Sequence, residues 1–363
     1  MGDPIISGPR APRTAIWEIT SACNLRCIHC EAEAGTRRPD ELTTDEALSL
    51  CDALAAAGCH HCNVSGGEPL LRADWPTLCE RLAQWGVQVS LVSNGSLLDA
   101  EAIETARRAG VGSFAVSLDG LEKTHDRIRL RPHPGSSQHA QVLSALDRLA
   151  ETGMPRAVIT HVNRWNFGEL EAIHALLAEH RVQVWQVQLG SPLGRQRQIG
   201  VPYMIAPEQL PELAARLVAL IRAGKPPRLS IVDCIGYYTE AEPVLRSARS
   251  NAPALWTGCY AGLLHVGIDS NGDVKGCSSM PREFVAGNVR QRPFQEIWDD
   301  ESRFAYNTAW EEEKLTGFCA TCPYRRVCRA GCTSLAYSVT GSIYENPFCL
   351  HRVRCERERG GSR

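Results

Sequence analysis

The 363-residue chain predicts an α/β protein: six strand–helix units forming a partial (β/α)6 TIM-like barrel, followed by a small cysteine-rich domain. Two observations predict it. Short β-rich runs alternate with amphipathic helical stretches from Thr14 to about residue 224, the pattern of a parallel sheet crossed by helices. The sixteen cysteines crowd the two ends: three at 23–30, four at 51–79, none from there to Cys234, and eight from Cys259 onward. An open doubly wound sheet satisfies the same alternation and is the competing arrangement.

The strands in order are AIWEIT (15–20), HCNVSG (61–66), VQVSLVS (87–93), GSFAVSLD (112–119), RAVITHV (156–162) and VQVWQVQL (182–189). Helices follow from apolar residues three and four apart. TTDEALSLCDALAAAG (43–58) starts at the N-cap candidates Thr43 and Thr44 and closes at Gly58. LDAEAIETARRAG (98–110), AQVLSALDRLAETG (140–153), FGELEAIHALLAEH (167–180) and PEQLPELAARLVALIRAG (207–224) repeat the pattern. The expected divisions are an extension (1–13), the barrel (14–225), a bridge (226–258) opening with the linker-like KPPRLS, the cysteine-rich domain (259–355) and a tail (356–363).

With 22% charged residues and a net charge of −2, the chain has no basic field for nucleic acid and no cationic stripe for an anionic membrane. No apolar run approaches the roughly 20 residues that cross a bilayer. The first residues lack the apolar core of a secretion signal. The expected location is the cytoplasm, where clustered cysteines bind metal or do redox chemistry more often than they form disulfides.

Cys23, Cys27 and Cys30 fall in CNLRCIHC, just after the first strand, on the rim where barrel active sites gather. Three close thiolates leave a four-iron cube one ligand short. A zinc knuckle with a distant fourth ligand fits the same three. The next three strands end in SGGEPL (65–70), SNG (93–95) and SLDG (117–120), with HDRIR (125–129) following the last.

This ordered set resembles the radical S-adenosylmethionine (SAM) enzymes. The resemblance implies that Cys23, Cys27 and Cys30 hold a [4Fe–4S] cluster whose remaining iron takes the amino and carboxylate groups of SAM. Gly66, Gly67, Glu68 and Pro69 would then bind the SAM amino group, and Ser93 and Asn94 would form the ribose-side turn. Ser117 and Arg129 would hold the SAM carboxylate, with Asp119 near the ribose. Leu130 replaces the family's usual glycine, which keeps Arg127 and Arg131 as alternatives to Arg129. His29 stands at a usually aromatic position and packs against the cluster.

The C-terminal cysteine spacing resembles the SPASM domain of peptide-modifying radical SAM enzymes, the maturases of pyrroloquinoline quinone, mycofactocin and sactipeptides. That implies two auxiliary [4Fe–4S] clusters, three in all. Cys319, Cys322, Cys328 and Cys349 would saturate the outer one; Cys259, Cys277 and Cys332 would hold the inner one. Some relatives add a cysteine where Pro253 stands here, so the inner cluster either has an open iron or takes Cys234. A pair of zinc sites also fits CxxC spacing. Cys51, Cys59, Cys62 and Cys79, including CHHC (59–62), read as buried structural residues, and Cys355 lies outside the motifs.

By resemblance, a 5′-deoxyadenosyl radical abstracts hydrogen, and an auxiliary cluster takes the second electron of a net oxidation. Ser278 stands where some relatives carry a proton-accepting aspartate, so Glu31 and Asp233 are the candidates for that role. The resemblance points first to oxidative cross-linking or dehydrogenation of a ribosomally made precursor peptide. Oxidation of a tetrapyrrole or other small molecule, and peptide epimerisation, are the alternatives. Expected partners are the substrate, a separate peptide-recognition protein and a flavodoxin- or ferredoxin-type electron donor. A non-enzymatic iron–sulfur carrier accounts for the C-terminal cysteines but not for the GGEP and SLDG turns.

Overall fold

The computed structural model describes residues 10–131, 135, 137–199, 203–232, 234–247 and 255–360. Seven strands pair in parallel, each with the next in the chain: β1 (Thr14–Glu18), β2 (His61–Ser65), β3 (Gln88–Ser93), β4 (Val111–Ser117), β5 (Arg156–Val162), β6 (Val184–Leu189) and β7 (Arg228–Ile231). Spatial order follows chain order without the reversal that defines a doubly wound sheet, so the partial barrel is the fold.

The crossovers carry α1 (Thr44–Ala56), α2 (Trp75–Gln84), α3 (Ala100–Arg108), α4 (Glu122–Ile128), α5 (Gln138–Glu151), α6 (Leu170–Glu179), α7 (Gly194–Ile199) and α8 (Leu210–Ala223). Local chemistry explains their ends. Thr43 and Glu46 close a capping box on α1, and Gly224 ends α8 at φ 64°, a left-handed turn that glycine adopts without cost. Along β1 the side chains alternate: Ala15 and Trp17 join the apolar core with Leu50, Cys51 and Leu54 of α1, while Ile16 and Glu18 occupy the opposite face.

Three expectations change. KPPRLS is not simply a linker, because Leu229 and Ile231 are buried and β7 pairs with β6. The sheet also continues past β1: β8 (His265–Ile268) lies parallel to it, followed by antiparallel β9 (Asp273–Lys275) and β10 (Gly287–Asn288). The cysteine-rich region therefore begins as an extension of the barrel sheet. Finally, the expected tail continues a helix that runs from Leu350 to Gly360.

Candidate active site

The loop after β1 folds back on itself, with Cys23 N–H donating to the Gly35 carbonyl at 2.9 Å. Two cysteine sulfurs accept backbone N–H groups, Cys23 from Leu25 at 3.4 Å and Cys30 from Ala34 at 3.3 Å. An Arg129 Nη lies 4.0 Å from Cys27 Sγ. All three cysteines line one cavity of about 600 Å³ at the C-terminal ends of the strands. Burial pushes each thiol up, Cys27 to about 12, so the free thiols stay protonated. A bound metal deprotonates coordinating thiols, and the waiting N–H donors stabilise the resulting charge. Three thiols on one wall of a roomy cavity suit a thiolate-held cluster with space beside it. Among the described residues, no three His, Cys, Asp or Glu side chains gather around a single-ion site, CHHC included.

The two glycines after β2 pack against the cysteine loop. A Cβ on Gly66 would lie 2.3 Å from the Thr20 carbonyl oxygen, and one on Gly67 would lie 2.2 Å from that of Ala22. Their missing side chains let this turn dock on the cysteine loop, where Gly67 N–H donates to Thr20 and Glu68 N–H to Ala22. Gly66 and Gly67 still line the cavity.

Glu68 and Pro69 stand directly behind the residues that line it. Glu68 is fully buried, its carboxylate accepting from Ser93 Oγ at 2.9 Å, Asn94 N–H at 2.8 Å and Leu70 N–H at 3.4 Å. Pro69 starts the short turn that presents Leu70. Burial pushes the Glu68 carboxyl up to about 7 despite these donors. Glu68 thus fixes the β3 turn, and Ser93 and Asn94 in turn face the cavity.

Ser117 and Arg129 line the cavity as expected, whereas Asp119 does not. The Asp119 carboxylate is fully buried, 2.6 Å from Arg129 Nε and 2.8 Å from the His161 N–H. Burial alone would raise this carboxyl; the Arg129 guanidinium and neighbouring histidines outweigh it and hold the carboxyl well below its ordinary range. Asp119 therefore orients Arg129. Of the two alternatives to Arg129, Arg127 stacks 3.7 Å over the Trp165 ring, and Arg131 bonds Gln138. His29 lines the cavity, stacks toward His161 and Tyr203, and lies 3.4 Å from Asp119. Burial holds both histidines below the ordinary range, so they are neutral near pH 7.

The sequence reading missed Arg195. Its side chain donates to the carbonyls of Cys27 at 2.7 Å and Ala34 at 2.6 Å, and its N–H donates to Cys30 at 3.0 Å. Beside it Gly194, at φ 54°, packs against the Cys30 and Glu31 carbonyls with no room for a Cβ. It also missed an acidic group between the cysteine loop and β8–β9. Glu18 ends β1 and Asp269 follows the paired strand β8, and Lys275 Nζ lies 2.8 Å from Asp269. Burial, then repulsion from Asp269, pushes Glu18 up. Glu31 accepts from Ser191 N–H at 3.2 Å and from the Ser279 hydroxyl, and burial raises its carboxyl too. Asp233, the other proton-acceptor candidate, lies outside the described residues.

The structure sorts the C-terminal cysteines. Cys319, Cys322, Cys328 and Cys349 line a single small cavity with Tyr237, Tyr238 and His351. Cys259, Cys277 and Cys332 are not on that wall but act on one another electrostatically. Gly267 of β8 faces the Cys277–Ser278 backbone, where a Cβ would lie 2.3 Å from Ser278 N. Cys51, Cys59, Cys62 and Cys79 are buried in the main apolar core.

Comparison with known proteins agrees with this geometry. The chain is 32% identical to the AdoMet-dependent heme synthase of Methanosarcina barkeri, over 96% of this chain and 99% of that one. A model of the radical SAM superfamily matches residues 17–177. The chain belongs to the radical SAM superfamily. A SPASM model, an iron-sulfur cluster-binding domain, matches residues 259–323. Mycofactocin maturase MftC of Mycobacterium ulcerans is 30% identical, covering 94% of this chain and 88% of its own. The crystal structure of Streptococcus suis SuiB bound to S-adenosylmethionine shares the fold at a TM-score of 0.71 and 14% identity, over 93% of this chain and 76% of that one. As a radical SAM enzyme with a SPASM domain, the protein uses SAM, a [4Fe–4S] cluster and auxiliary iron–sulfur centres. Among the described residues, no helix is long and apolar enough to cross a membrane.

Proposed function

We propose that this enzyme carries out a two-electron oxidation of an organic substrate using three [4Fe–4S] clusters, and that a tetrapyrrole is the first substrate class to test. Bound SAM and its reduced cluster would supply the one-electron chemistry that removes a hydrogen atom, fed by a flavodoxin- or ferredoxin-type donor. One observation carries the oxidative reading. The Cys277–Ser278 backbone crosses β8 beside the cysteine loop, with Glu31 hydrogen-bonded across the gap to Ser279. A cluster held by Cys277 would thus stand near the cavity in which a substrate radical would form.

The chain's residues divide the remaining work. Arg129, aimed by Asp119, would hold the SAM carboxylate, while Ser93, Asn94 and the Gly66–Gly67 backbone would shape the wall around the rest. Glu18 and Glu31 form the acidic pair nearest the gap between the two cysteine loops, and they would take the proton that leaves with the second electron. Burial raises both carboxyls, Glu18 to about 7, which favours a group that gains and returns a proton.

The full-length likeness to a heme synthase supports a tetrapyrrole, and the likeness to MftC supports a precursor peptide as the second reading. The test is anaerobic incubation with SAM and dithionite, followed by mass spectrometry with an iron porphyrin bearing propionates or with a precursor peptide. Release of 5′-deoxyadenosine and loss of two hydrogens, or of formal HCOOH from a propionate, supports oxidation. An unchanged substrate mass with an inverted centre would replace oxidation by epimerisation. Without 5′-deoxyadenosine the proposal fails.

A further inference from the structure

We propose that His161 and Gln188, neighbours on the inward face of β5 and β6, hold a carbonyl-bearing group of the substrate. This rests on the proposed tetrapyrrole reading and deepens it, because it names the side chains that would take a porphyrin's carboxyl arm. Along β6, Trp185, Val187 and Leu189 join the apolar core, while Val184, Gln186 and Gln188 face the other way and stay partly exposed. Register pairs Gln188 with His161 and Gln186 with Ile159, and Ile159 in turn with Ser117 of β4. Paired positions share a face, so the row runs along the inside of the sheet from Ser117, which lines the cysteine cavity.

Two features of the row call for a ligand. His161 is 4% exposed, and neither ring nitrogen has a hydrogen-bond partner among the described residues. A buried imidazole left unpaired costs free energy that a bound group recovers. Its place is fixed by a missing side chain: a Cβ on Gly190 would lie 1.3 Å from His161 Nε2. The imidazole therefore leans over the end of β6, two residues beyond Gln188. On β6 itself, Gln186 Nε2 donates to Gln188 Oε1 at 3.2 Å. That bond occupies the Gln188 oxygen and leaves its amide N–H groups as donors.

Charge narrows what the row accepts. Across β1 to β7, Arg228 is the only Lys or Arg at an inward position, and it stands level with Val184 at the opposite end of the strands. Lys275 of β9 is held by Asp269. A carboxamide and a neutral imidazole meet a carbonyl oxygen with directed N–H donors but bring no counter-charge, unlike a guanidinium. The row thus selects by hydrogen-bond direction. It fits the carboxyl or amide end of a side chain, and a porphyrin propionate has such an end.

The test is equilibrium binding to the full chain, reconstituted anaerobically and saturated with SAM, without reductant. Two probes are titrated by their absorbance: an iron porphyrin bearing propionates, and the same porphyrin with propionamides in their place. Gln188→Leu and His161→Phe should each weaken porphyrin binding about tenfold and leave SAM affinity unchanged. Gln188→Glu keeps the side chain's shape should the Leu variant fold poorly. Charge repulsion in that variant should weaken the propionate form by at least as much and spare the propionamide form. Unchanged porphyrin affinity in variants that bind SAM normally would overturn the assignment. So would equal losses of both porphyrins in Gln188→Glu, or a fall in SAM affinity, which would set the row against the cofactor instead. If wild type binds neither porphyrin, the tetrapyrrole reading falls and takes this assignment with it. That outcome is distinct from wild-type binding that the variants leave unaltered, which overturns the row alone.

Discussion

Asp119→Asn isolates the device that aims Arg129. The substitution keeps the side chain's shape and removes its charge, leaving a guanidinium whose side chain is 12% exposed without its 2.6 Å counter-ion. Breaking a buried pair in this way costs about 3–5 kcal/mol, a large part of the roughly 5–15 kcal/mol that holds a domain folded. At about 2–4 °C per kcal/mol for a domain of this size, melting should fall by roughly 10 °C. The sign with pH follows from the depressed carboxyl. Its contribution is complete above the unfolded value of about 4 and disappears as pH falls through the lower folded value, so the two proteins should converge only in acid. SAM adds a second readout, because its carboxylate would supply Arg129 with the missing charge. The melting shift on adding SAM, measured anaerobically by scanning fluorimetry on reconstituted protein, should be larger in the variant than in wild type. A variant within about 1 kcal/mol of wild type, or one with a smaller SAM shift, would refute this account of Asp119.

Glu68 gives a pH signature of opposite sign. Its carboxyl is raised to about 7, so its contribution to stability is complete below the unfolded value and lost as pH rises through 7. In denaturant titrations of the apoprotein, Glu68→Gln should therefore gain on wild type by about 3 kcal/mol between pH 4 and 8; a pH-independent difference would contradict this. Gly67→Ala places a Cβ 2.2 Å from the Ala22 oxygen and should displace the cysteine loop. Iron should be lost from the SAM site while the auxiliary spectra persist, and full iron content would refute the docking role. Arg195→Met removes a cation and two donors from the cysteine loop. The potential of the SAM cluster, read by redox titration, should fall by tens of millivolts, with Arg195→Lys intermediate; an unchanged potential would leave Arg195 a packing role only.

Alternation of period two and period 3.6 made the barrel legible, since a parallel strand and its crossover helix each leave that local signature. β7 was hidden because four residues preceded by two prolines read as a linker until β6 supplies their partner. β8 to β10 were hidden for a related reason. β8 reaches back to β1 across some two hundred and fifty residues, a contact no local period encodes, and β9 and β10 are short strands added onto it. At the site, the cysteines were legible because ligand chemistry demands close spacing. Arg195 was not, because a guanidinium that binds backbone carbonyls needs only reach, and several nearby arginines have that.

Glu68 and Asp119 have one feature in common. A motif identifies which side chains a site requires without separating those that face the ligand from those that hold the ligand's neighbours. Burial separates them: both carboxylates are fully enclosed, each accepting hydrogen bonds from residues that line the cavity. Charge explains why the enclosed residues must be acids. Arg129 enters a low-dielectric wall only with a counter-charge behind it, and the Ser93–Asn94 turn converges its donors only on an acceptor with several lone pairs. An aliphatic residue at either position would leave a buried cation without its counter-ion or the donors of the turn unpaired.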